Sequence, residues 1–247
     1  MGKSIGNEPY KNLIKTVQKK KLVVFTGAGV SAESGLKTFR DSDGLWNGFR
    51  IEDVATPEAW HKDPKTVLDF YNQRRRDVAL AKPHEGHQAL ADWQEEYDIT
   101  IITQNIDDLH ERAGSSKVLH LHGEIFKMRS EKNDEACFEI KNDIHYGDKA
   151  ADGGQLRPHV VWFGEAVPMI AEAIRITSLA EIFVVIGTSL VVYPAASLVH
   201  HALYGIPKFL VDKKIPYTPQ MNNLVTIEQP ATKGIKILKN YLDQLKP

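Results

Sequence analysis

One cysteine, Cys137, stands among the 247 residues. That scarcity excludes a disulfide framework and any zinc or iron–sulfur centre built from several thiolates of this chain. No apolar run approaches the roughly 18 residues that a membrane-spanning helix needs. Charge of one sign is lacking too: 31 basic against 32 acidic residues leave a net charge of −1. No global field therefore favours nucleic acid or an anionic membrane, and neither is expected as a partner. The first residues, MGKSIGNEPYKNLIK, contain no apolar signal core. A cytoplasmic enzyme or binding protein is expected, acting as a monomer.

What is present is an ordinary globular composition, 42% hydrophobic and 26% charged, which excludes disorder. Leu13, Ile14 and Val17 suggest a short N-terminal helix. Leu22-Val23-Val24-Phe25 reads as a buried strand, stopped by Gly27 and Gly29. Similar short apolar runs lie at 99–103, 118–122, 160–163, 182–187 and 208–212. Helical spacing separates most of them, over 67–81, 86–97, 169–179, 194–203 and 235–245. Strands alternating with helices predict an α/β fold, a Rossmann-like and mainly parallel sheet with helices on both faces. Two stretches break the rhythm: 37–62 has no sustained period, and 130–155 is polar. One catalytic domain over 1–247 is expected, with a small lobe formed by insertions at about 37–83 and 128–156.

Gly27-Ala28-Gly29-Val30-Ser31-Ala32 follows a strand and opens a helical turn, which is the dinucleotide pattern in its proper context. Glycine lets backbone approach a pyrophosphate, yet a tight strand–turn–helix uses it without any ligand. The next 20 residues contain no second strand ending in an acid. Instead Phe39, Arg40, Asp41 and Trp46 sit in a loop suited to closing over a bound molecule, which argues against a hydride-transferring dehydrogenase. Gln104, Asn105 and Asp107 follow a strand, where α/β sheets place ligand groups. Their amides and carboxylate can bond ribose hydroxyls or a carboxamide; Asn105 or Asp107 can equally cap the following helix. His120 and His122 alternate on a strand and share a face. His122, at its end before Gly123, suits a general base, while His120 reads as structural.

Together these segments resemble the sirtuin family of NAD-dependent protein deacylases. The matching pieces are GAGVSAESGLKTFRD with GLW, TQNID, LHG, VVWFGE and GTSL, in the family's order. The resemblance implies that Gly27, Ala28, Gly29, Phe39, Arg40 and Gln104 line the pyrophosphate and ribose region of NAD. It places Asn105 and Asp107 at the nicotinamide carboxamide, and makes Asn105 and His122 catalytic, with His122 the base. Val160, Trp162, Phe163 and Gly164 would pair with the substrate backbone and wall an acyl-lysine tunnel. Gly187, Thr188 and Ser189 would contact the adenosine side. Asp212 stands where the family commonly has a ribose-contacting asparagine, and its charge would oppose the 2′-phosphate of NADP. NAD is thus expected as a consumed co-substrate, acyl-lysine proteins or peptides as partners, and nicotinamide and O-acyl-ADP-ribose as products.

Tyr71 and Arg74 lie three residues apart and share a helix face. A phenol and a guanidinium can together grip a carboxylate. The pair resembles that of sirtuins which remove succinyl, malonyl or glutaryl groups, although Arg74-Arg75-Arg76 also reads as a solvated basic run. The family's usual two Cys-x-x-Cys pairs, which hold zinc, are missing: Ser130 and Asn133 stand at the first. No metal is expected, and Cys137 with His145 matches no zinc spacing. Side-chain packing is expected to hold that segment. An NAD glycohydrolase, a mono-ADP-ribosyltransferase or a non-catalytic NAD sensor would share the same cofactor pocket.

Overall fold

The computed structural model describes residues 18–38, 45, 46, 48–134, 136–216, 218 and 221–246. The helix expected around Leu13, Ile14 and Val17 lies outside them, as do Phe39 and Arg40. The chain runs through β1 (Lys21–Thr26), α1 (Ala28–Ala32), β2 (Leu45–Trp46), β3 (Phe49–Arg50), α2 (Ile51–Val54), α3 (Pro57–Lys62), α4 (Pro64–Leu80) and α5 (Glu85–Asp92). Then follow β4 (Asp98–Thr103), α6 (Leu109–Arg112), β5 (Val118–His120), β6 (Gly123–Ser130), β7 (Cys137–Glu139) and β8 (Leu156–Val160). It finishes with α7 (Ile170–Ser178), β9 (Ile182–Ile186), β10 (Lys208–Asp212), β11 (Leu224–Glu228) and α8 (Ala231–Gln244).

Six strands form the main sheet in the order β11-β10-β9-β1-β4-β5, all parallel. A parallel sheet needs cover on both faces, and β1 shows how the sequence provides it. Leu22 and Val24 join Ile99, Ile101 and Val184 against Leu90 of α5 and Leu238 and Leu242 of α8. Val23 and Phe25 point the other way, onto Ile102, Phe183 and Val185 with Ala173 of α7. Each such side chain removed from water contributes about 1.5–3 kcal/mol. No helix among the described residues is long and apolar enough to cross a membrane.

A second, antiparallel sheet runs β7-β6-β8. Its apolar face packs on α3 and α4 in a separate cluster that includes Trp60, Phe70, Tyr71, Ile125, Ile144 and Trp162. Several expected boundaries move. The strand over 118–122 ends at His120, because Gly123 turns the chain at φ +78°. The strand over 160–163 is instead Leu156–Val160. Beyond it, the amides of Val161 and Phe163 donate to the carbonyls of His122 and Ala55, outside any ladder. The helix over 194–203 is a 3₁₀ segment, Ala195–His200, and that over 86–97 stops at Asp92 before a 3₁₀ turn. Residues 37–62, read as irregular, contain α2 and α3, too short to show a period. Thr56 before Pro57 is their legible signal: its hydroxyl caps the Ala59 N–H at 3.1 Å. The strands β6 and β11 were not anticipated at all.

The polar segment 130–155 is held by hydrogen bonds more than by packing. Asn72 of α4 donates to the Ile144 carbonyl (2.9 Å) and accepts from its N–H (3.0 Å). Arg75, 1% exposed, donates to the carbonyls of Ile125 (2.9 Å) and Asn142 (3.2 Å) and to the Asn72 side chain (2.8 Å). Glu131 accepts from the Gln155 N–H (2.9 Å) and the Trp60 indole (3.2 Å), and Ser130 bonds Asp152 at 2.8 Å. No group of three or more His, Cys, Asp and Glu among the described residues is arranged to hold a metal ion.

Arg75→Met should cost about 2–4 kcal/mol in urea unfolding, because it strands the buried Ile125 carbonyl and takes a donor from the Asn142 carbonyl and the Asn72 oxygen. A chelator should leave the wild-type unfolding curve where it is. Stoichiometric zinc by metal analysis, or a melt lowered by chelation, would contradict this account.

Candidate active site

The strand order is that of a doubly wound fold, in which ligands sit at the carboxyl ends of strands where the connections change direction. Here that point is between β1 and β9, with β4 on the other side of β1. Two loops meet there with backbone against backbone. Gly27 donates its N–H to the Ile186 carbonyl (3.0 Å) and Gly29 to the Gly187 carbonyl (2.8 Å). A Cβ on Gly27 would stand 2.7 Å from the Thr188 Cβ, and one on Gly29 2.7 Å from the Gly187 oxygen. Loop-to-loop packing thus demands glycine before any ligand is considered, and the two N–H groups are already engaged. Ala28 begins α1. Gly187 adopts φ +64°, and Leu190 holds φ +56°, uncommon for a bulky residue, with its N–H on the Thr188 hydroxyl. Ser189 is half-buried between them.

Gln104, at the end of β4, donates to the Thr188 hydroxyl (2.9 Å) and so joins the β4 and β9 loops. Asn105 donates from its side chain to Ser31 of α1 (3.0 Å), and its N–H goes to Thr103 Oγ1 (3.1 Å). Its side chain therefore caps nothing. Asp107 does serve the helix, accepting the Leu109 N–H at 3.2 Å. Burial pushes the Asp107 carboxyl up, against the Leu109 N–H, the Ser31 hydroxyl, and the His120 and Arg74 charges, which favour the anion. Ser31 was overlooked by sequence reasoning. Its position four residues past Gly27 is its only signal.

His122 places Nδ1 3.0 Å from the Gln104 carbonyl. A carbonyl only accepts, so Nδ1 carries the proton and the neutral ring keeps Nε2 as its basic nitrogen. Burial holds its pKa below the usual histidine value. Asp212, buried at the end of β10, accepts the Lys214 N–H at 3.2 Å.

Tyr71 and Arg74 are 1% and 7% exposed. The solvated basic run is therefore only Arg76, paired with Asp143 at 2.6 Å. Arg74 donates to the Lys37 carbonyl at 3.2 Å and lies over the Trp46 ring, 5.0 Å from its centroid. Its buried Nε has no hydrogen-bond partner among the described residues. Burial pushes the Arg74 pKa down and the Tyr71 phenol up. Arg74 also lines a cleft of about 570 Å³ with Leu36, Lys37, Gln73 and Asp77; Tyr71 does not. Tyr71 instead faces Trp162, ring centroids 6.5 Å apart.

Val160 and Trp162 are buried, whereas Phe163 is half exposed and Gly164 turns at φ +91°. Two residues not singled out from the sequence hold this segment. Glu165 accepts the Trp162 N–H at 2.7 Å and pairs with Arg157 at 2.8 Å. The Arg157 guanidinium stacks on the Trp162 ring, 3.2 Å from its centroid.

Behind the site His110 approaches the Thr26 hydroxyl (3.2 Å), which bonds Thr103 (2.9 Å). His87 lies beside His110 with ring centroids 5.0 Å apart. Burial depresses both, His87 to about 2 and His110 to about 4. Both rings are neutral packing groups.

A family model described as the Sir2 family matches residues 27–194. An NAD-dependent protein deacylase of Helicobacter pylori is 50% identical over 226 residues, covering 92% of this chain and 99% of the relative. A solved Sir2 homologue mutant in complex with ADP-ribose superposes with a TM-score of 0.83 at 38% identity, covering 92% of this chain and 93% of that one. A Sir2 homologue in complex with NAD gives 0.82 at 38% identity, with 92% and 91% coverage.

The buried histidines give the molecule a pH signature. Folded-state pKa values below the unfolded value of 6.5 mean that the unfolded chain takes up more protons on acidification. Their contribution is whole above pH 6.5 and is lost as the pH falls, through about 4 for His110 and toward about 2 for His87, on the order of a few kcal/mol. Unfolding midpoints in urea should fall between pH 7 and pH 5 (roughly the titration window), and His110→Gln should flatten that slope. A His110→Gln curve parallel to wild type would sink the assignment.

Proposed function

The chain belongs to the Sir2 family, and from that membership we propose a protein-lysine deacylase that uses NAD and prefers acidic acyl groups. The donor set fits NAD: the amides of Gln104 and Asn105, the Asp107 carboxyl, and the hydroxyls of Thr188 and Ser189 gather at the carboxyl ends of β4 and β9. These groups complement ribose hydroxyls and a carboxamide. Held by these groups, NAD would supply the electrophilic ribose carbon to which an acyl oxygen could bond, with nicotinamide as the leaving group.

The residues of this chain bind, orient and move the proton. Asp107 and Asn105 orient the nicotinamide end, and the buried surroundings of Asp107 strengthen each polar contact made there. His122, with Nδ1 committed to Gln104, receives a ribose hydroxyl proton at Nε2. Its lowered pKa keeps that nitrogen unprotonated at neutral pH. The segment from Val160 to Gly164, locked by Glu165 and Arg157, positions the acyl-lysine chain.

The observation that carries acyl preference is Arg74, a buried guanidinium whose Nε has no partner, on the same helix face as Tyr71. A buried unpaired donor is costly, and a substrate carboxylate supplies the missing acceptor. Succinyl, malonyl and glutaryl groups carry that carboxylate; acetyl does not.

With NAD and a succinyl-lysine peptide, mass spectrometry should find free lysine peptide, nicotinamide and O-succinyl-ADP-ribose. Free ADP-ribose with an unchanged peptide would instead mark an NAD glycohydrolase, ADP-ribose on a protein a transferase, and no turnover an NAD sensor. Arg74→Met should lower kcat/KM on succinyl peptide about 10–100-fold and leave acetyl peptide within about 3-fold. Equal use of both peptides by wild type and variant would sink the preference. His122→Ala should cost about 10²–10⁴ in kcat on either peptide.

A further inference from the structure

His120, which reads from the sequence as structural, has a more specific placement. Its Nδ1 lies 2.9 Å from the main-chain carbonyl of Asn105, and its Nε2 lies 2.8 Å from Oε1 of Glu111. The side chain is 7% exposed. A carbonyl oxygen and a carboxylate both only accept, so the ring satisfies both partners only when both nitrogens carry protons. We propose that His120 is a positioning residue of this active site, an imidazolium held by Glu111 that fixes Asn105 and lends its charge to Asp107. The proposal rests on the Sir2-type reading of the site.

The bonds form a closed circuit around the turn between β4 and α6. Asp107 accepts the Leu109 N–H at the start of α6, α6 carries Glu111, Glu111 binds His120, and His120 returns to Asn105. Asn105 is thereby tied at three points: N–H to Thr103, side chain to Ser31, carbonyl to His120. Two residues along the chain His122 makes the parallel bond to Gln104, so consecutive carbonyls of this turn receive alternate histidines. One ring is a fixed cation and the other a free base. What separates them is Glu111, since among the described residues no carboxylate bonds His122.

The charged and titratable groups around His120 are Glu111 and His110 on α6, Glu124 on β6 and Asp107 on the turn. Burial pushes the His120 pKa down, but the Glu111 bond and charge, the Asn105 carbonyl and Glu124 together carry it above the ordinary value. The reciprocal effect is visible at Glu111, whose carboxyl is held low by His120 despite its burial. His120 thus keeps its proton where His122 has lost one. As pH rises through the raised value the ring gives up that proton, and either Asn105 or Glu111 loses its donor.

The test compares wild type with Glu111→Gln by ¹⁵N NMR of the His120 ring and by the pH profile of kcat/KM on an acyl-lysine peptide. In wild type both ring nitrogens should be protonated at neutral pH. In Glu111→Gln the ring should titrate at least about one pH unit lower, and the alkaline limb of kcat/KM should move down with it. The acid limb, set by His122, should stay in place. A neutral His120 ring in wild type at neutral pH overturns the proposal. So does an alkaline limb that does not follow the ring. If no peptide turns over at any pH, the deacylase reading has failed. NAD affinity over the same pH range then decides: affinity that tracks the His120 proton supports the pair, and affinity indifferent to Glu111→Gln overturns it.

Discussion

The close approach of two loop backbones, Gly27 to Gly29 on one side and Gly187 with Thr188 on the other, is the constraint on which the rest depends. Any side chain at Gly27 or Gly29 would push the loops apart. With them in contact, Gln104 spans to Thr188, Ser31 reaches Asn105, and His122 finds the Gln104 carbonyl. Each catalytic candidate is thus placed by a partner from a different strand end. The parallel sheet delivers those ends to one edge, and the glycines let them meet.

The second sheet contributes differently. Among the described residues it brings no titratable group to His122, but it sets the wall made by Trp162, Tyr71 and the segment after β8. Arginine does much of the holding: Arg157 on Trp162 and Glu165, Arg75 on Ile125 and Asn142. Planar guanidinium groups bind carbonyls and carboxylates in fixed directions, so they can brace a loop where few apolar side chains are available.

Much of this was legible in the sequence, for identifiable reasons. Short β-rich apolar runs gave β1, β4, β9 and β10, because fully buried parallel strands are written as continuous apolar segments. The small sheet was not legible. Strands such as β6, GEIFKMRS, mix charge with apolar residues, since their outer face meets solvent or other polar side chains. The site residues Asn105, Asp107 and His122 could be named from their place after strands. What holds their surroundings could not: Ser31 reaches Asn105 from a distant segment, Glu111 meets His120, and Arg157 and Glu165 brace Trp162 only once the chain has folded. The basic run at 74–76 also misleads as a string. Helical geometry turns Arg74 and Arg75 inward and leaves Arg76 outside.

Four positions of α4, Tyr71, Asn72, Arg74 and Arg75, divide between the wall made with Trp162 and Lys37 and the brace on the polar segment. They occupy little more than one helical turn, so both tasks share one rotational phase. Adding or removing a single residue upstream in this helix would swing all four side chains by about 100°. The packing on Trp162 and the anchoring of the polar segment would then fail together. Exchange of side chains in place can alter one of these tasks alone, whereas a change of length alters both.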